Sequence, residues 1–237
     1  MLIQADAAQL EVRVAAYLSQ DKVMMDEILS AKDMHTDNQT RFRLTSRGMA
    51  KIWIFRILYG GSAYSFAHDP NFKECGYSEK EWETIIKGFY DKYPDVREWH
   101  SSLIRQATTT GKIIMPTGRV YNFKPELKKG ELIWPQTTIK NYPVQGLGAD
   151  LMALARVSLY HRLKSYPTDE VKMVNTVHDS IILDAKEKYV DELAQVLKKV
   201  FQDIPANFEK MFHVPFNVPM DAEVQVGTNW KKMEKIC

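Results

Sequence analysis

The chain has 237 residues, 45% hydrophobic and 26% charged, which supports a packed core in one or two domains and excludes a disordered chain or a low-complexity fibre. Cys75 and Cys237 cannot make a disulfide scaffold and suit a reducing compartment; no run approaches ~20 apolar residues, and the opening Met1-Leu2-Ile3-Gln4-Ala5-Asp6 has no signal-peptide character, so no membrane association is expected. The net charge of +2, from 32 basic and 30 acidic residues, leaves nucleic-acid binding open if the basic groups gather on one face.

In chain order, Leu2 and Ile3 lead directly into Asp6-Ala7-Ala8-Gln9, and Ala7 to Leu18 carries Leu10, Val14, Tyr17 and Leu18 at helical spacing. Asp33 to Thr36 reads as a turn. A helix is predicted from Thr45 or Ser46 to Tyr59, stopped by Gly60-Gly61. Ser78 and Glu81 stand in capping-box positions for a helix through about Tyr93, Pro94 follows, and a further helix covers Asp95 to Thr108. From Gly111 to Trp134 the texture turns to strand, with Lys112 to Met115 and Val120 to Phe123 about Pro116-Thr117-Gly118. A long helix is predicted over Gln145 to Leu163, a hairpin over Val171 to Leu183 broken at His178-Asp179-Ser180, an amphipathic helix over Lys186 to Phe201 and a last strand over Ala222 to Val226. No internal repeat and no flexible linker is visible. The order implies an α+β fold with a helical insertion between two sheet-forming ends.

Two constellations could carry chemistry. Asp6 at a strand end and Asp179 at a hairpin tip lie where a rigid sheet can present carboxylates to a cleft. So placed, they could hold a pair of Mg²⁺ ions ~3.5–4 Å apart, as phosphoryl transfer requires. The plainer alternative makes Asp6 the N-cap of a capping box, Asp6-Ala7-Ala8-Gln9, and Asp179 a turn-favouring residue. On the helix near 45–59, Arg47, Lys51, Phe55 and Tyr59 recur every four residues as one drifting stripe. Its cations lie at the N-terminal end, where the backbone already favours anions, and its aromatics offer surfaces on which a base can stack. The stripe therefore matches a nucleoside triphosphate in polarity. The alternative is a solvated basic turn followed by aromatic core.

Together these pieces strongly resemble the polymerase domain of the A family of DNA polymerases. Asp6-Ala7-Ala8-Gln9-Leu10-Glu11-Val12-Arg13 resembles the first catalytic motif, Arg47-x₃-Lys51-x₃-Phe55-x₃-Tyr59-Gly60 the nucleotide-binding fingers helix, and Val177-His178-Asp179 the third motif. Asp33-Met34-His35-Thr36, Thr117-Gly118-Arg119, Asn141-Tyr142-Pro143-Val144-Gln145-Gly146 and Val226-Gly227-Thr228-Asn229-Trp230 are similar to further family segments in the same order.

The resemblance implies a right-hand polymerase palm, an antiparallel sheet with helices, over 1–23 and 132–237, with the catalytic hairpin at about 171–184. Helical fingers occupy 24–131 between the two palm segments. It implies that Asp6, Asp179 and the carbonyl of Ala7 bind two Mg²⁺ ions, for which Mn²⁺ can substitute. Arg47, Lys51 and His35 contact the phosphates, with Lys51 as the proton donor to pyrophosphate; Gln9 joins the nucleotide-binding set. Phe55 packs on the sugar and base, in the phenylalanine form that disfavours dideoxynucleotides. Glu11 and Tyr59 exclude a ribose 2′-hydroxyl, so the expected substrate is a dNTP. Arg119, Asn141, Gln145, His178, Tyr59 and Gly60 hold primer-template DNA. The chain departs from the family pattern at Ser180, where glutamate is usual, at Ala7-Ala8 in place of Tyr-Ser, and at Thr137 in place of a basic residue.

No thumb, first palm segment or exonuclease is recognised ahead of the first motif. The expectation is therefore a catalytic chain completed by a separate N-terminal chain that carries the thumb and has room for the exonuclease, and an exposed apolar face and strand edge where palm strands are missing. A cytoplasmic setting in a bacterial or phage-infected cell, or an organelle, fits such a chain. The alternatives are a non-catalytic DNA-binding remnant and an RNA-directed or template-independent nucleotidyltransferase.

Overall fold

The computed structural model describes residues 1–30, 32–128 and 130–236; Cys237 lies outside the described residues, and Cys75 is a half-buried free thiol. The chain begins with β1 (Leu2–Ala7) and runs through α1 (Leu10–Ser19), α2 (Lys22–Leu29), α3 (Met34–Phe42), α4 (Arg47–Leu58), α5 (Ala63–Ala67), α6 (Glu79–Lys92) and α7 (Pro94–Thr110). Four short strands follow, β2 (Lys112–Ile114), β3 (Val120–Asn122), β4 (Glu126–Lys128) and β5 (Glu131–Ile133), then α8 (Gln136–Leu163). The remainder is β6 (Val171–Val177), β7 (Ser180–Ala185), α9 (Val190–Gln202), α10 (Ile204–Phe212), β8 (Ala222–Asn229) and β9 (Lys232–Lys235). The fold is α+β. It divides into a sheet unit, Met1–Arg13 with the chain from Gly146 onward, and a helical unit, Val14–Gln145. The family resemblance implies divisions at 23/24 and 131/132. Both observed boundaries fall inside helices, α1 and α8, which is why no Gly- or Pro-rich linker marks them.

The sheet unit is built on one antiparallel sheet of strand order β6-β7-β1-β8-β9. Along β1 the side chains alternate, with Ile3, Ala5 and Ala7 buried and Leu2, Gln4 and Asp6 half-exposed. The apolar stripe of α9, Leu193, Ala194, Leu197, Val200 and Phe201, is buried and packs over β1 and β8. Edge strand β6 leaves Val174 and Val177 exposed. α8 begins nine residues ahead of the predicted Gln145 start. It passes through Pro143, whose missing N–H the buried Ile139, Val144, Leu147 and Leu151 offset by packing.

The helical unit has an aromatic core. Fully buried Trp53 on α4 meets Phe42 at 4.9 Å, Phe89 at 5.5 Å and Phe66 at 6.4 Å between ring centroids, and Phe66 continues to Phe72 and Trp82. Beside it Lys92 Nζ lies 2.9 Å from Glu27 and 2.8 Å from Asp37, and the Tyr93 hydroxyl donates to Glu27 at 2.7 Å. This pairing holds the Asp37 carboxyl below its ordinary range. Buried Asp21 caps α2 by accepting from Met24 N–H and also accepts from Asp95 N–H, each at 3.0 Å, so one carboxylate fixes the starts of α2 and α7.

Two local expectations are corrected. The first helix starts at Leu10, with Ala7 in β1, so Asp6 is a strand residue and not an N-cap. Asp33-Met34-His35-Thr36 is the cap and first turn of α3, because Asp33 accepts from the N–H groups of His35 and Thr36. The helices α2, α3, α5 and α10 and the strand β9 lacked a periodic pattern long enough to predict, whereas β4 and β5 lie within the strand-textured stretch from Gly111 to Trp134.

Trp53→Ala is expected to lower unfolding free energy by ~3–5 kcal/mol in denaturant titrations, because the ring's neighbours cannot collapse into its volume. His100, buried and held at a pKa of about 3 first by burial and then by Lys140, should make stability fall as pH drops below ~6.5. The unfolded state then takes up a proton that the folded state refuses until about pH 3, a slope of at most ~1.4 kcal/mol per pH unit. His100→Gln should flatten that part of the pH–stability profile.

Candidate active site

The register of the sheet brings the two aspartates together. β1 pairs with β7 so that Asp6 stands opposite Ser180, and with β8 so that Asp6 stands opposite Glu223. Asp179 immediately precedes Ser180 in the two-residue connection from β6 to β7, where His178 takes the left-handed φ of 51° that turns the chain. Ala7 N–H donates to the Asp179 carbonyl at 2.9 Å, tying the end of β1 to the hairpin tip. Asp6, Ala7 and Asp179 thus meet at one end of the sheet. His178 Nδ1 lies 3.3 Å from Asp179 Oδ1, and its Nε2 lies 3.8 Å from Glu11 Oε1 at the start of α1. Gln9 sits between β1 and α1 with φ 55°.

Arg13 of the first motif clamps this loop. Its Nε donates to the Ala8 carbonyl at 2.7 Å and its Nη1 to the Pro219 carbonyl, while Ala8 N–H donates to the Asp221 carbonyl at 2.9 Å. Its position three residues into a helix gave no signal of that work. Ser180 is buried and donates its hydroxyl to the Val177 carbonyl at 2.9 Å, closing the turn. A glutamate at 180 would share a face with Asp6. The acidic residue in register with Asp6 here is Glu223, on the opposite flank, 3.0 Å from Lys235.

Two carboxylates on adjoining strand ends are a hard-oxygen donor set that suits Mg²⁺. Among the described residues no three His, Cys, Asp or Glu side chains converge as a ligand group. A cation on Asp6 and Asp179 would therefore complete its shell with backbone carbonyl, water and phosphate oxygens, the way Mg²⁺ is usually held.

On the helical unit, Ser46 caps α4 by accepting from Met49 N–H at 3.1 Å. Met49, Ala50, Trp53, Ile54, Ile57 and Leu58 form the buried face. Arg47 and Lys51 are exposed, and Phe55 and Tyr59 only half-buried, so the stripe is a surface and its aromatics are not core. Arg47 Nε donates to Asp33 Oδ2 at 2.8 Å, and that bond drives the Asp33 carboxyl far below its ordinary range. Lys51 Nζ lies 5.8 Å from the centre of the Phe55 ring.

His35 is 2% exposed and meets Phe55 edge-on at 6.2 Å. Burial first, then the charge of Arg47, lowers its pKa, so the imidazole is neutral. Its buried Nδ1 has no hydrogen-bond partner, which marks it as a polar atom open to a ligand. Gln145 Nε2 donates to the Tyr59 hydroxyl. Gly60 follows with φ 83°. Asn141 lies one turn before Gln145 on α8. Arg119 is exposed at the β2–β3 connection, where its carbonyl accepts from Met115 N–H at 2.8 Å, and Thr137 is exposed on the first turn of α8.

The predicted residues thus form two sets. Asp6, Ala7, Gln9, Glu11, His178 and Asp179 gather on the sheet unit. His35, Arg47, Lys51, Phe55, Tyr59, Gly60 and Gln145 belong to the helical unit, with Asn141 beside Gln145 and Arg119 on a separate hairpin.

A protein-family model described as DNA polymerase family A matches residues 1–232. The chain is 30% identical over 241 residues to the thermostable DNA polymerase I of Thermus filiformis and 28% identical to that of Thermus aquaticus, covering 97% of this chain and 27% of each relative. It is 26% identical to DNA polymerase I of Aquifex aeolicus, over 39% of that protein. It therefore spans between about a quarter and two fifths of the length of these relatives. Among solved structures it is similar, with a TM-score of 0.77 and 23% identity over 97% of this chain and 40% of the other, to the POL domain of Pol1 from M. smegmatis, determined in complex with DNA primer-template and dNTP. The motifs, the sheet that carries them and the match over residues 1–232 agree: this chain belongs to DNA polymerase family A.

Proposed function

We propose that this chain carries the nucleotidyl-transfer machinery of template-directed DNA synthesis, adding a dNTP to a primer 3′-hydroxyl. The observation that carries the reading is the register of β1 against β7, with the Ala7 N–H to Asp179 carbonyl bond, which sets Asp6 and Asp179 side by side. Two Mg²⁺ ions, or Mn²⁺, would supply Lewis-acid chemistry there, lowering the pKa of the 3′-hydroxyl and neutralising charge on the triphosphate. Asp6, Asp179 and the Ala7 carbonyl would hold them. Relatives named DNA polymerase I, and a fold neighbour solved with primer-template and dNTP, support the substrate class.

The helical unit would hold the incoming nucleotide. Arg47, oriented by Asp33, would meet phosphate oxygens together with Lys51 at the N-terminal end of α4, where helix N–H groups add their own attraction. The open Nδ1 of neutral His35 would exchange a hydrogen bond with a ligand oxygen or bound water beside them. Lys51 would deliver a proton to pyrophosphate. Phe55 would pack on the sugar and base, and stacking of this kind is worth ~1–3 kcal/mol. Tyr59, held by Gln145, would stand at the template base.

Glu11, on the sheet unit, would exclude a ribose 2′-hydroxyl. Gln145 would read the minor groove, sensing pair geometry more than base identity, while Arg119, Asn141 and His178 would hold the primer and template strands. An N-terminal polymerase segment, in a separate chain or in a longer one, is the proposed cover for the β6 edge with its exposed Val174 and Val177.

In the assembled polymerase, Asp6→Ala and Asp179→Ala are each expected to slow Mg²⁺-dependent primer extension on the order of a thousandfold, the scale of several kcal/mol of charge stabilisation. Near-normal extension by either variant would remove the metal assignment and favour a non-catalytic DNA-binding role. Glu11→Ala is expected to relax discrimination against ribonucleotides by roughly 10–100-fold, the range over which a pocket rejects one added hydroxyl. Competition between rNTP and dNTP in single-nucleotide incorporation measures it.

A further inference from the structure

On the helical unit, beside the C-terminal end of α4, lies a cavity of about 370 Å³ lined by Tyr90, Arg97, His100, Ser101, Ile104, Gln136 and Lys140. No carboxylate lines it. Lys140 and Gln136 are four apart on α8 and share a face. The stem of Lys140 lies in space that glycine alone leaves open, since a Cβ at Gly60 would come within 2.7 Å of Lys140 Cδ. His100 Nε2, 3.0 Å from the Leu58 carbonyl, must be the protonated nitrogen, because that carbonyl can only accept. Burial keeps the ring neutral, so its Nδ1 accepts from the Tyr90 hydroxyl, also at 3.0 Å. Arg97 Nη2 bonds Asp91 at 2.7 Å, and its guanidinium lies over the Tyr90 ring at 5.7 Å, so this cation is held at the cavity wall.

Lys140 is half-buried, makes no ion pair among the described residues, and is depressed in pKa by desolvation with no opposing charge. A cation taken out of water without a counter-charge is costly. An oxyanion in the cavity would restore that charge, with the ammonium, the Gln136 amide and the Arg97 guanidinium as donors for several oxygens at once.

We infer that this cavity is a phosphate-binding site with Lys140 as its principal ligand, taking either a phosphodiester of a nucleic-acid strand or free phosphate. The inference stands on the cavity's own geometry and does not depend on the assignments of Asp6 and Asp179.

The test uses the full 237-residue chain and its Lys140→Met and Lys140→Arg variants, each shown to be folded by thermal melting, with Lys140→Gln replacing the first should it fail to fold. Inorganic phosphate is titrated calorimetrically. Binding of a labelled primer-template DNA is measured across a salt series. Saturable phosphate binding that weakens at least tenfold in Lys140→Met and survives in Lys140→Arg establishes a site for free phosphate. No saturation by phosphate, with DNA affinity reduced about tenfold and the salt slope smaller by about one in Lys140→Met, assigns the site to a strand phosphate. Equal binding of both ligands by wild type and Lys140→Met overturns the inference and leaves Lys140 as a stem packed against Gly60.

Discussion

The antiparallel pairing of β1 with β7 is the constraint on which the candidate chemistry depends. Because side chains in a strand alternate with a period of two, a slip of one residue would send Asp6 into the apolar layer under α9 and expose Ala5 and Ala7 instead. That register is doubly determined. β8 pairs with the other edge of β1, and burial of Ile3, Ala5 and Ala7 penalises any alternative. The Ala7 N–H to Asp179 carbonyl bond then continues the ladder into the turn. Two carboxylates that would repel one another in isolation are brought close by apolar burial and backbone bonding elsewhere, an arrangement that leaves a place for positive charge.

The helical unit solves a different problem, that of keeping cations and aromatics on one surface of a helix whose other side is core. α4 is anchored by Trp53 in a cluster of aromatic rings, so the exposed stripe need contribute little to stability. Asp33 links the cap of α3 to Arg47 on α4 and thereby orients a guanidinium that would otherwise lose rotamer entropy on meeting a ligand. Further in, the Lys92, Glu27 and Asp37 network is fully engaged, in contrast to Lys140, whose surroundings hold no acid. Buried charge is thus handled in two ways within one unit, by internal pairing at Lys92 and by an open polar cavity at Lys140.

The departures from the family pattern acquire physical content at Ser180. Its hydroxyl turns inward to the Val177 carbonyl and stabilises the tight connection that carries Asp179. The acidic environment of Asp6 is reduced on that flank and kept on the other by Glu223. Arg13 provides a second example of a motif residue whose work is structural, since it pins the loop after β1 through two carbonyls.

Much of the site was legible in the amino-acid sequence because chemistry imposes residue types at short spacings. The four-residue repeat of Arg47, Lys51, Phe55 and Tyr59, the capping box at Ser78 and Glu81, and the hairpin break at His178-Asp179 all depend on neighbours within a turn or two of chain. The short elements α2, α3, α5 and α10 were not legible, since helices of five to nine residues are too short to display a helical period. Only tertiary structure could decide that Asp6 is a strand residue opposite Ser180, that Phe55 and Tyr59 face outward, that His35 keeps a buried nitrogen unpartnered, and that Lys140 lies against Gly60 in a cavity without a counter-charge. Each of these depends on which long-range neighbour occupies the space beside a side chain, and local spacing carries no information about that.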